Sequence, residues 1–286
     1  MRKVLYFLLA LMIIGSSCQT KSESDKNAEA DEQTQETKAP VPVLPAPGEF
    51  AAKLQATGAD YFDILPNNPG NAQQYLDASE EKVAVNLGVY VADLAYTTAY
   101  GEIETSKEIL SAIVELSSRL GIEKQLMEKG VEGYTSNIEA PDSLTKYLRK
   151  INSTAYNSLI TSGKDRLAAI AYAGFYIERL NIALGVISSY PEDFPNELRQ
   201  QLLVPVYYAV LSQKENIGKI KVYLKSNIEG VQETPYYNDL TKLEEIYSQI
   251  DYDKILNSQD LSIIETDDNT IKLAIKIREM RIRIIE

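Results

Sequence analysis

"SEEKVAVNLGVYVADLAYTTAYG" (79–101) decides the fold class. Val83, Leu87, Val91, Leu94 and Thr98 recur at steps of four, four, three and four, which is one face of an α-helix. Ser79 followed by Glu80 and Glu81 is a helix entrance, with acids placed on the positive end of the backbone dipole. Gly101 is a stop. The same grammar continues outward. A helix opened by Thr105 or Glu104 carries Ile109, Leu110, Ile113, Val114, Leu116 and Leu120 up to Gly121, and a short helix spans about 122–129. The next enters at Pro141 or Asp142 and stops near Gly163. Lys164–Ser189 is long and apolar, and Asn196 heads Glu197–Gln213. Glu215–Ser226 and a segment from Pro235 to Leu256 follow. "TDDNTIKLAIKIREMRIRIIE" (266–286) alternates like a strand from Ile271 to Ile277. Its caps at Asp267–Asn269, its basic C-terminal half and its lack of Gly and Pro select helix. The predicted class is all-α, as one helical domain over 49–286.

A heptapeptide occurs twice: "GVYVADL" (88–94) and "GFYIERL" (174–180). Gly, Tyr and Leu coincide, and each copy sits in the first long helix of its half. This predicts two similar halves, about 79–162 and 163–286, related by an internal pseudo-two-fold. A helix-interior Gly costs about 1 kcal/mol against Ala. Paying it twice points to a close crossing of the two long helices at Gly88 and Gly174. Asp93 and Arg179 occupy equivalent places, so a structural ion pair between them is expected. Gly88, Tyr90, Gly174, Tyr176 and Glu178 together mark a packing site or the wall of a ligand groove. The chain has 19 Tyr against 5 Phe. Tyrosines in core helices supply bulk plus a hydroxyl that needs a partner, and they are the candidate lining of such a groove.

The N-terminus reads as a lipoprotein signal peptide, residues 1–17. Arg2 and Lys3 precede the apolar run Val4–Ile14, and Gly15-Ser16-Ser17 are small. Cys18, the single cysteine, then becomes the first residue of the mature chain and carries the acyl groups. Residue 15 departs from the Leu that a strict lipobox prefers at that place. Residues 18–48 form a tether. "QTKSESDKNAEADEQTQETK" (19–38) has no aliphatic residue beyond Ala and is expected to be disordered, and "APVPVLPAPG" (39–48) favours polyproline II. Fully extended, this segment reaches on the order of 100 Å.

Composition narrows the chemistry. There is no His and no Trp, which removes Ser-His-Asp and Cys-His mechanisms and the usual zinc, copper and haem ligands. No metal site, cofactor or catalytic residue is predicted. "SLTK" (143–146), "TSGKD" (161–165) and "TDDNT" (266–270) lack the context or spacing of catalytic, phosphate or calcium motifs. The net charge of −12 argues against nucleic acid as a partner.

"NLGVYVADLAYTTAY" (86–100), "LGI" (120–122), "DSL" (142–144) and "AGFYIERL" (173–180) together resemble an uncharacterised family of lipid-anchored helical proteins of Bacteroidota-type bacteria. That family often carries Trp where Tyr176 stands. The resemblance implies an all-helical body over about 50–286 and an outer-membrane lipoprotein facing the periplasm or the cell surface. It implies no activity. The functional expectation is a non-enzymatic interaction or scaffold domain, held to the membrane through its anchor and bound to an envelope protein. The alternative is a small-ligand binder with a Tyr-lined groove between helices.

Overall fold

The structure is a computed structural model, and it describes residues 47–286. The expected signal peptide, Cys18 and nearly all of the expected tether lie outside the described residues. Every regular element among the described residues is helical. The N-terminal elements are α1 (Pro47–Ala56), a 3₁₀ turn at Pro69–Ala72 and α2 (Gln73–Leu76). The first half continues with α3 (Glu80–Ala99), α4 (Ile103–Arg119), α5 (Glu123–Leu126), a π-turn at Met127–Val131, α6 (Glu132–Ser136) and α7 (Pro141–Thr161). The second half has α8 (Asp165–Ser189), α9 (Asn196–Leu211), α10 (Lys214–Asn227) and α11 (Pro235–Gln249). Three helices close the chain: α12 (Tyr252–Ser258), α13 (Leu261–Glu265) and α14 (Asp268–Ile285).

Local chemistry accounts for the boundaries. The Ser79 side chain accepts from Lys82 N at the head of α3, and Asp267 accepts from Asn269 N and Thr270 N at the head of α14. Gly101 and Gly121, both at φ 76°, take the left-handed turn after α3 and α4. α14 buries Leu273, Ile277, Met280 and Ile284, a helical rather than an alternating set.

The core is organised around α3 and α8. Both are buried almost all round, including Val85, Leu87 and Tyr90 on α3 and Phe175, Tyr176 and Ile177 on α8. α8 is long and apolar enough to cross a membrane by length and composition. However, 89% of its most apolar window is buried inside the bundle, which makes it a core helix.

The two helices meet at their glycines. A Cβ on Gly88 would lie 1.8 Å from the Ala171 carbonyl oxygen, and one on Gly174 would lie 2.1 Å from that of Val85. The contacts are reciprocal, because 174 and 171 are 88 and 85 each displaced by 86 positions. This is the signature of a local two-fold axis through the crossing. The order of elements also recurs. A long core helix is followed by helices of 17 and 16 residues, α4 and α9, and later by α7 and α11, which both open on Pro. The closing helices α12–α14 extend the second half beyond this pattern.

Candidate functional site

Tyr90 and Tyr176, equivalent about the crossing, play the same part. The Tyr90 hydroxyl donates to the Asn68 carbonyl at 2.9 Å, and the Tyr176 hydroxyl donates to the Gln213 carbonyl at 2.9 Å. Burial pushes both phenols above the ordinary tyrosine range. Their hydroxyls are spent on backbone, and neither ring lines the cavities around Arg281, Arg179, Tyr134 or Val131.

The expected Asp93–Arg179 pair is not formed, and this corrects the sequence reading. Each lies five residues past its glycine. At about 100° per residue that is a rotation of about 140° away from the crossing face. The two side chains therefore diverge and find separate partners. Asp93 Oδ2 accepts from the Asn67 backbone N at 3.1 Å and from Asn67 Nδ2 at 2.8 Å. Arg179 Nη2 donates to Gln213 Oε1 at 2.5 Å. Each side chain thus takes a side-chain amide from a loop as a hydrogen-bond partner, Asn67 for Asp93 and Gln213 for Arg179.

Glu178 takes the cation that Asp93 lacks. Arg281 Nε of α14 donates to Glu178 Oε2 at 3.2 Å, and Arg281 Nη2 donates to Asn67 Oδ1 at 2.5 Å. Asn67 Nδ2 also reaches Glu178 Oε1 at 3.3 Å, and Asn181 Nδ2 reaches the same oxygen at 3.4 Å. One amide therefore bridges two carboxylates, both 0% exposed, and one arginine serves the pair. The cluster ties α3, α8, α14 and the 65–68 loop together. Neither Asn67 nor Arg281 stood out in the sequence, since "LPNNPGN" reads only as loop and Arg281 is one of several basic residues in α14.

Burial raises the Asp93 carboxyl well above the ordinary carboxylate range, and the Glu178 charge raises it further. Burial raises Glu178 as well, against the pull of Arg281. A dry acid pair with a single cation favours keeping one proton. The folded state therefore holds a proton that the unfolded chain releases near pH 4, so this cluster's contribution is largest in acid and is lost as pH rises through the raised values. Asp93→Asn removes that loss. The stability of the variant relative to wild type is expected to grow from pH 5 to pH 8, measured by urea unfolding at each pH. A difference that is flat with pH would show that Asp93 is ionised throughout.

The largest opening among the cavities described lies directly outside the cluster. It is a groove of about 520 Å³ between the 62–65 loop, the C-terminal half of α8 and α14. Asn181 and Arg281 belong to both cluster and groove wall. Phe62, Ile64, Leu65 and Ile282 supply apolar surface, and Arg278, whose Nη2 donates to Ser188 Oγ at 2.5 Å, supplies a second cation. Among the described residues, Arg278 makes no ion pair with a carboxylate. No group of three or more Asp, Glu or Cys suited to a metal ion occurs among the described residues. The groove combines an apolar wall with the guanidinium groups of Arg278 and Arg281, the latter paired with Glu178, and the carboxylate of Asp63, while the Ser188 and Ser189 hydroxyls donate to the backbone of their own helix. The carboxylates behind it are sealed from solvent and held by amides and by Arg281.

No protein-family model matches the chain, and neither does any curated protein or any solved structure.

Proposed function

We propose that this is a membrane-tethered, non-catalytic binding domain of the bacterial envelope, an outer-membrane lipoprotein anchored through Cys18, with the α8–α14 groove as its recognition face. The observation that carries this reading is where apolar surface is left uncovered. Ile64, Ile271, Ile275 and Ile282 are four of the six large apolar side chains exposed among the described residues. Ile64 and Ile282 rim the groove, and Ile271, Ile275 and Ile282 share one face of α14 with Arg278. The occupant this suits is a segment of another envelope protein that carries an acidic residue beside an apolar one. The tether lets the domain reach such a partner away from the membrane. A second reading, a small amphipathic anion in the same groove, rests on the groove volume, which falls in the range of small-molecule sites.

The test has two arms. Alkyne-tagged fatty acid is expected to label the wild type and not Cys18→Ser. A photo-crosslinking residue at Ile282 is expected to give a discrete adduct in intact envelopes, lost with Arg278→Glu and absent when the probe replaces Val222, an exposed residue of α10. Equal capture at both positions would remove the groove as the binding face, and a complete lack of fatty-acid label would remove the anchor.

A further inference from the structure

Arg281 stands between two environments. Its side chain is 18% exposed and lines the groove, while the Glu178 side chain behind it is 0% exposed. Asp93, equally sealed, joins the same knot through Asn67. The Asn67 Nδ2 donates to both acids, and its Oδ1 accepts from Arg281. Two carboxylates thus share one guanidinium. With both acids ionised the knot carries one net negative charge, and with one proton on the pair it is neutral. Asp93 Oδ1 is buried and accepts no hydrogen bond. A dry carboxylate oxygen without a donor favours the protonated acid, so the geometry holds a place for that proton.

The charge of the knot reaches the groove through Arg281. An anion seated against Arg278 and Arg281 has a neutral knot behind the wall when the proton is bound, and a negative one when it is not. The separation is about one side chain and the material between is protein rather than water, so screening is weak.

We propose that the groove and the buried acid pair are one proton-linked unit, in which a proton taken up by Asp93 and Glu178 releases the charge of Arg281 to an anionic occupant. This rests on reading the groove as the recognition face. By reciprocity, an anionic occupant draws a proton into the pair. The other ionisable groups facing the pair are the hydroxyls of Tyr61, Tyr75 of α2 and Tyr90 of α3, all raised by burial and uncharged over the range that matters. Arg278 of α14 and Asp63 of the 62–65 loop face the groove itself.

The probe is 1-anilinonaphthalene-8-sulfonate, an apolar anion whose sulfonate does not titrate between pH 5 and pH 8. Titrated into the full-length protein, it is expected to bind about tenfold more tightly at pH 5 than at pH 8. Calorimetry in two buffers of different ionisation heat is expected to show proton uptake on binding. Asp93→Asn leaves Glu178 paired with Arg281 and removes the acid that shares it. That variant is expected to bind at pH 8 as tightly as wild type does at pH 5, with a flat profile and no proton uptake. Asp63, Arg278 and the surface charges are the same in both proteins, so the comparison cancels them. Equal pH slopes in wild type and Asp93→Asn, or no slope in wild type, would overturn the linkage and leave the groove as a binding face. Arg278→Glu is expected to abolish probe binding. Binding that survives it, or none by wild type at any pH, would remove the groove as an anion site, and the linkage with it.

Discussion

Gly88→Ala is expected to bring the protein to the edge of unfolding, and Gly174→Ala to do nearly the same. The added methyl at 88 would sit 1.8 Å from the Ala171 carbonyl oxygen and 2.7 Å from the Phe175 nitrogen. The methyl at 174 would sit 2.1 Å from the Val85 carbonyl oxygen. These are backbone atoms inside helices, so no rotamer change relieves the clash. The two core helices must separate by more than an ångström, which opens voids along the most buried contact in the molecule. Overpacking that side chains can absorb costs about 1–3 kcal/mol, and this exceeds it, so a loss of at least about 3 kcal/mol is expected for each. For a chain of this size that lowers the midpoint by roughly 10 °C. The double variant should cost less than the sum, because one separation relieves both clashes. Gly218→Ala is the internal control. Its Cβ would meet only Glu244 Oε1 at 3.5 Å, within α10, so a gain of about 0.5–1 kcal/mol is expected. Denaturant unfolding of the four variants tests the set. If Gly88→Ala fell within about 1 kcal/mol of wild type, the crossing would not be the structural centre of the fold.

That crossing was legible because it is local grammar repeated. A glycine inside an apolar helix is an anomaly, and the same anomaly with the same Tyr two residues on and Leu four beyond that signals one contact used twice. Helix boundaries were legible for similar reasons, since Ser79, Gly101, Gly163 and Asp267 act on their own neighbours. The ion pair was not. Equivalence in sequence puts two residues at symmetric places, and near a two-fold axis only those facing the axis meet. Asp93 and Arg179 sit about 140° around their helices from the glycines, so symmetry separates them. Their true partners come from elsewhere: Asn67 from a loop and Gln213 from the turn between α9 and α10. Arg281 lies 103 positions from the Glu178 it serves. No periodicity encodes such a long-range pairing, and the groove that it borders inherits the same obscurity. The tether and Cys18 reading stands apart, because it rests on composition alone and concerns residues outside the described ones.

Arg281→Met is expected to cost about 3 kcal/mol or more at neutral pH, since taking away one partner of a buried ion pair leaves the other charge stranded. Glu178 is 0% exposed and would keep only the amides of Asn67 and Asn181, while Asp93 stays nearby as a second acid. The cost should depend on pH in a defined direction. Arg281 is what holds the Glu178 carboxyl down against burial, so its loss raises Glu178 further. A carboxyl raised in this way holds its proton more tightly in the fold than in the unfolded chain, so the folded state loses ground as pH rises. The deficit of Arg281→Met is therefore smallest in acid and grows with pH. Glu178→Gln in the same chain removes the stranded charge, and the double variant is expected to recover most of the loss at neutral pH, with a coupling of about 1–3 kcal/mol in the double-mutant cycle. Additive single effects would mean that Arg281 acts by packing its stem rather than by its charge. A pH-independent deficit would carry the same meaning, and would place the anchoring of α14 on its apolar face of Leu273, Ile277, Met280 and Ile284 instead.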